Sequence, residues 1–169
     1  VTESVLPEAP RARSAAVITV SDRCFSGLRE DRGGPLAVSA LRDGGWRCDD
    51  ATIIPDGADG VEHAVRAAIA EGVELIVTTG GTGISPRDLT PEGTARVIET
   101  QIPGIPEELR RLGASAAPGG LLSRGVAGIA HKTLIVNLPG STGAVRDGIS
   151  VILRIADHVL SQLRGEDHG

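Results

Sequence analysis

The stretch Thr78–Thr94, TTGGTGISPRDLTPEGT, concentrates residue types that handle anions. Glycine lets the main chain approach a ligand closely and turn consecutive N–H groups toward a negative charge. Thr79, Thr82 and Ser85 add hydroxyls around Gly80, Gly81 and Gly83. A loop of this kind holds phosphate without using a basic side chain. It is not a P-loop, since no Gly-Lys-Ser/Thr closes it, and its spacing is not that of a dinucleotide fingerprint. Alone, the turn is as compatible with a bare tight turn as with a binding loop. Asp88 favours the second reading. A carboxylate beside a phosphate repels it unless a cation lies between them, and magnesium favours one or two carboxylates together with phosphate oxygens. Asp88 is therefore a candidate magnesium ligand acting on a bound nucleotide; its alternatives are a surface ion pair or a helix cap ahead of Thr90-Pro91. Asp56, in Pro55-Asp56-Gly57, is the second candidate acid, with an ordinary turn role as its alternative.

Two further segments could meet an anion. Leu138-Pro139-Gly140-Ser141 precedes a long helical pattern, and the amides at a helix start attract negative charge; Ser141 reads equally as an N-cap. Ser123-Arg124 lies in a Gly-rich region, where Arg124 either meets a phosphate or faces solvent. No Ser-His-Asp arrangement is legible, and His131, just before a strand, reads as structural or solvated.

The elements that must position these residues alternate strand and helix. Ala15–Val20 (AAVITV), Glu74–Thr79 (ELIVTT) and Thr133–Asn137 (TLIVN) are apolar and β-branched, as strands buried on both faces are. Cys48–Ile54 is a weaker strand, interrupted by Asp49 and Asp50. Ser21–Gly34 is too irregular for a regular element. Pro35 suits the first turn of a helix that Gly44-Gly45 ends. Ala58–Glu71 is a helix stopped by Gly72. A helix capped by Thr90 runs to about Thr100, and Ile105–Leu112 is a short one opened by Pro106. Residues 113–131 are Gly- and Ala-rich, with a short helix near 122–128. The last helix spans Ser141–Leu163. This order predicts an α/β protein, a mostly parallel central sheet covered by helices on both sides. Sites in such sheets form beyond the carboxyl ends of the strands, which places Ser21-Asp22-Arg23, Thr78–Asp88 and Asn137–Ser141 at one edge, with Pro55-Asp56-Gly57 able to join them. Residues 1–14 read as a disordered tail, 15–164 as a single domain and 165–169 as a frayed end.

Composition narrows the function. Hydrophobic residues make up 40% of the 169, and Phe25 and Trp46 are the only aromatic rings, so a stacking platform for bases cannot be built. The net charge of −5 also argues against a nucleic-acid partner. Cys24 and Cys48 lack metal-ligand spacing and are too few for a disulfide scaffold. Residues 1–14 show no signal-peptide pattern and no apolar run reaches membrane length, so a cytoplasmic protein is expected.

On these motifs the chain resembles the MogA/MoaB family of molybdenum cofactor biosynthesis proteins, which includes the G domain of gephyrin-like proteins. The resemblance spans roughly residues 15 to 163. It rests on Thr78–Thr94, supported by Val20-Ser21-Asp22-Arg23, Asp31-Arg32-Gly33-Gly34-Pro35, Ile54-Pro55-Asp56, Leu122-Ser123-Arg124 and Asn137–Ser141. It implies a three-layer α/β/α fold, a trimer or sometimes a hexamer, molybdopterin binding, and magnesium- and ATP-dependent adenylylation of the molybdopterin phosphate for a downstream molybdenum insertion protein. The family's two functional aspartates fall on Asp56 and Asp88, which would hold the metal. Its substrate loop falls on Thr79, Gly80, Gly81, Thr82 and Gly83, with Ser123, Arg124, Pro139, Gly140 and Ser141 completing the site. The chain departs at Gly33, where the family commonly has Ser. A non-catalytic molybdopterin carrier of the MoaB type is the alternative. A nicotinamide-dependent oxidoreductase lacks its Gly-x-Gly-x-x-Gly turn after the first strand.

Overall fold

The computed structural model describes residues 13–166, so the expected tail at 1–12 and the last three residues lie outside it. Ser14, assigned above to the tail, opens β1 (Ser14–Val20). The chain continues through α1 (Asp22–Phe25), α2 (Gly33–Asp43), β2 (Arg47–Cys48), β3 (Thr52–Ile54), α3 (Ala58–Ala70) and β4 (Leu75–Thr79). It then forms α4 (Thr90–Ala95), β5 (Thr100–Gln101), α5 (Gly104–Ala116), a 3₁₀ turn (Pro118–Leu122), β6 (Ala127–Ala130), β7 (Thr133–Leu138) and α6 (Thr142–Leu163).

The sheet order is β2-β1-β4-β7-β6-β5, with β3 also pairing with β1. β1 runs parallel to β2, β3 and β4, and β4 parallel to β7, whereas β6 is antiparallel to both β5 and β7. The mostly parallel sheet expected from the sequence is present. Strand alternation splits the core. Val17, Leu75, Val77, Leu134 and Val136 face α2, α5 and α6, while Ile18, Ile76 and Ile135 face α3 and Val97 beyond α4. Apolar side chains thus leave both faces of each central strand, which is why these strands read as unbroken hydrophobic runs.

Several expectations are corrected. Ser21–Gly34 holds a short helix, because the Ser21 hydroxyl accepts the Cys24 N–H as an N-cap. Asp49 and Asp50 divide the second strand into β2 and β3. Helix α4 stops at Ala95 rather than Thr100; Val97 is buried, and the chain extends into edge strand β5. Thr90 is the first residue of α4, not its cap, and its hydroxyl donates to the Gly80 carbonyl at 2.9 Å. The helix opened near Pro106 runs from Gly104 to Ala116, and the region given to a helix near 122–128 is a 3₁₀ turn followed by β6.

After β1 the chain crosses through α2 to β2 and β3 on one side of it, then through α3 to β4 on the other. The two connecting helices pack on opposite faces of the sheet. A crevice opens beyond the strand ends where the winding direction reverses, between β1 and β4.

Candidate active site

The turn after β4 is the floor of this crevice. Gly80 and Gly81 have φ of +91° and +65°, a region that side chains rarely adopt. A Cβ on Gly80 would fall 2.4 Å from the Val20 carbonyl oxygen, and one on Gly81 would fall 2.3 Å from Thr90 Oγ1 and 3.1 Å from Asp56 Oδ1. The Gly80 N–H donates to Leu138 O at 2.9 Å, and Thr90 N–H to Gly81 O at 3.1 Å. Among the described residues no acceptor meets the N–H groups of Gly81, Thr82 and Gly83. Three successive amides are therefore open to water or to the oxygens of a ligand.

Asp56 and Asp88 stand on two sides of this turn. Asp56 Oδ2 accepts the Asp22 N–H at 2.9 Å, and Asp88 Oδ2 accepts the Ser85 N–H at 3.1 Å. The other oxygen of each carboxylate has no hydrogen-bond donor among the described residues. Burial is the largest influence on Asp56 and pushes its carboxyl above the usual range; the Asp22 N–H opposes this, and the charges of Asp22 and Asp88 add to it. A half-buried acid with negative neighbours and an unpartnered oxygen is a suitable ligand for a divalent cation, and two such acids match magnesium's preference. No cluster of three or more metal-ligating side chains exists among the described residues, so water or substrate oxygens would complete such a coordination shell.

The remaining predicted residues divide. Gly140 lies directly against the turn, where a Cβ on it would be 3.3 Å from Gly80 Cα. Pro139 and Ser141 flank it, and Ser141 is the N-cap of α6, its hydroxyl accepting from Ala144 N–H at 3.2 Å. Gly33 closes the opposite side, with its Cβ position 3.4 Å from Gly140 O and 3.7 Å from Thr79 Oγ1. A Cβ at this position would sit at ordinary contact distance. Thr79 lies beneath the site rather than on it: it is buried and its hydroxyl donates to Thr19 Oγ1 at 3.4 Å. Thr82 is also buried, and its Oγ1 accepts from Ser123 Oγ at 3.3 Å. Arg124 is partly exposed, and most of its donors are already engaged within the chain. It donates to Gly83 O at 2.8 Å and Asp88 O at 2.7 Å, and pairs with Glu92 at 2.5 Å. Each of the two charges steadies the other, so Glu92 lies below its usual range. Ser123-Arg124 therefore braces the loop. A cleft of about 440 Å³, lined by Gln101, Pro106, Arg110, Leu121 and Ser123, opens beside the brace.

Three partners were visible in the sequence only as members of the edge segments, with no role of their own. Asp22 directly follows β1 and exchanges hydrogen bonds with Asp56, the Asp56 N–H donating to Asp22 Oδ1 at 3.1 Å. Arg87 was visible only as a neighbour of Asp88. Asn137 is buried at the end of β7, donates to Thr78 Oγ1 at 2.9 Å and Thr94 Oγ1 at 3.0 Å, and accepts from Val126 N–H at 3.2 Å. A polar amide closing the apolar run TLIV, at the head of the Asn137–Ser141 segment, is the sequence signal for it.

The fold is an α/β sheet with an open amide run and two acids gathered at its switch point. The chain belongs to the family described as "Probable molybdopterin binding domain", which matches residues 16–158. It is 41% identical over 155 residues to the molybdenum cofactor biosynthesis bifunctional protein of Synechococcus elongatus, covering 92% of this chain and 49% of that protein, so it spans about half of that relative's length. It is 34% identical to the molybdopterin adenylyltransferase of Haemophilus influenzae, covering 78% of this chain and 68% of that enzyme. The solved structure of the molybdopterin biosynthesis Mog protein from Mycobacterium ulcerans superposes with a TM-score of 0.85 at 44% identity, over 90% of this chain and 99% of that one. The three-layer fold anticipated from the sequence is that of these relatives.

Proposed function

We propose that this domain is a molybdopterin adenylyltransferase. It joins the terminal phosphate of molybdopterin to the adenylyl group of ATP and releases pyrophosphate. The observation that carries the reading is the open amide run Gly81–Gly83 set between two acids that each keep an unpartnered oxygen. A molybdopterin phosphate oxygen attacks the α-phosphorus of ATP, a new P–O bond forms, and the bond to pyrophosphate breaks. No protein nucleophile is required; the domain holds two anions in line and neutralises charge. The amides of Gly81, Thr82 and Gly83 hold phosphate oxygens, with Gly140 and the start of α6 against them. Asp56 and Asp88 would hold magnesium, which when bound offsets the negative charge of the phosphates. The cleft beside Ser123 is large enough for a ring system such as a pterin. The adenylyltransferase relative supports the activity.

The same reading extends to a homotrimer, with Leu28, Ile84 and Leu121, all strongly exposed near the site, available for assembly contacts, and to hand-over of the product to a downstream molybdenum insertion protein. Among the described residues no helix is long and apolar enough to cross a membrane. The deciding assay mixes protein, ATP, magnesium and molybdopterin and follows pyrophosphate. Stoichiometric release dependent on molybdopterin is expected; tight pterin binding without release would instead identify a carrier.

A further inference from the structure

Arg87 is the chain neighbour of Asp88, yet its guanidinium crosses to the loops that carry Asp22 and Asp56. Its Nε donates to Asp22 Oδ2 at 2.5 Å, and Nη2 donates to Asp22 Oδ1 at 3.1 Å and to the Asp56 carbonyl at 2.8 Å. Asp22 and Asp56 in turn each donate the main-chain N–H to the other's carboxylate, at 2.9 and 3.1 Å. Both Asp22 oxygens are thus occupied by Arg87, and one of them also by the Asp56 N–H. Each Asp22 oxygen has a donor within the chain, whereas Asp56 and Asp88 each keep one oxygen without a donor among the described residues. The result is a direct tie between two loops that lie far apart in the sequence, made by a residue covalently attached to one acid and gripping the backbone of the other.

We propose that Asp22 and Arg87 are positioning residues that fix the separation of Asp56 and Asp88 across the glycine turn. The proposal rests on the reading of Asp56 and Asp88 as the acids that take a divalent cation. The side chains of Arg87 and Asp22 are 63% and 42% exposed, so their ion pair contributes little to global stability. Its consequence is geometric, since partners one shell out from a metal set the orientation of the ligands. This makes the sign of the effect diagnostic. By charge alone, Arg87 opposes a cation, and its removal would tighten cation binding; as a tie, its removal loosens the pair of acids and weakens it.

The test titrates manganese(II), as a spectroscopic stand-in for magnesium, into the full chain without nucleotide, using electron paramagnetic resonance to count free ion. Arg87→Gln and Asp22→Asn are each expected to weaken binding about tenfold. The double variant should be no weaker than either single variant, because both remove the same tie. Arg87→Lys retains the charge but loses the two-pronged contact, so it should also weaken binding, and it gives the same answer should Arg87→Gln fail to fold. Tighter or unchanged binding in the Arg87 variants, or wild-type affinity in the charge-balanced double variant, would overturn the proposal. Asp88→Asn serves as the control. If it leaves manganese affinity unchanged, the cation reading itself is wrong and the positioning role falls with it; if it abolishes binding while the Arg87 and Asp22 variants match wild type, only the positioning role falls.

Discussion

Asp56 and Asp88 do different work because their surroundings differ. Asp88 closes its own turn through Ser85 and sits over Gly83, whose Cβ position is 2.8 Å from Asp88 Oδ2. On the proposed mechanism, replacing it with alanine removes a charge beside the phosphates but leaves the cleft beside Ser123 intact. Asp88→Ala is expected to lower turnover by about 10²–10³-fold, the scale of a lost electrostatic stabiliser, while molybdopterin affinity from equilibrium titration changes far less. Asp56 carries a cost. Its carboxyl is held above the ordinary value of 3.8 by burial and acidic neighbours. The ligand-free fold therefore binds that proton more tightly than the unfolded chain, and ionised Asp56 opposes folding at neutral pH. Asp56→Asn is accordingly expected to raise Tm at pH 7 while abolishing turnover, with the gain shrinking as pH falls through the raised value. A lowered Tm at pH 7 would contradict this.

The elements show why some of this was legible in the sequence and some was not. The path from β4 through the glycine turn to Asp88 is local, and each step has a chemical marker: a β-branched run, glycines where side chains cannot fit, then an acid. Gly80→Ala should be the harshest change in this segment, since a Cβ would fall 2.4 Å from the Val20 carbonyl, which is main chain and cannot swing away. Strain at such a position costs about 1–3 kcal/mol, measurable by denaturant unfolding, and the displaced turn should lose phosphate affinity. Edge strand β5 and its neighbour β6 were not legible because they are short, and AGIA in β6 carries little β-branching; their pairing includes Glu99 N–H donating to Ile129 O, an interaction between distant residues. Asp22 and Arg87 meet across 65 positions, which no periodicity records. Arg124 reads in the sequence as a spare cation, and only the fold shows its donors directed to Gly83, Asp88 and Glu92. Asn137→Ala leaves the Val126 N–H without its side-chain acceptor and should cost about 1–3 kcal/mol, read as a shift in the unfolding midpoint at unchanged slope.

Across the whole molecule, the winding reversal between β1 and β4 gathers Asp22, Asp56, the glycine turn and the Pro139–Ser141 turn at one end of the sheet. The aliphatic core fixes these strand ends. Leu75, Ile76, Leu134 and Ile135 are fully buried, so the loops they deliver leave from a close-packed base. The exposed apolar residues, Leu28 and Ile84 among them, lie on segments bordering this end. Light scattering after size exclusion is expected to give three times the chain mass, and a strictly monomeric mass at micromolar concentration would contradict the proposed assembly. The central claim is that the amides of Gly81–Gly83, with Asp56 and Asp88, form the adenylyl-transfer site. Its most direct test is a crystal structure with adenylylated molybdopterin and magnesium. The bridging phosphates are expected within hydrogen-bonding distance of those amides, with the metal on both aspartates; phosphates seated elsewhere on the domain would contradict it.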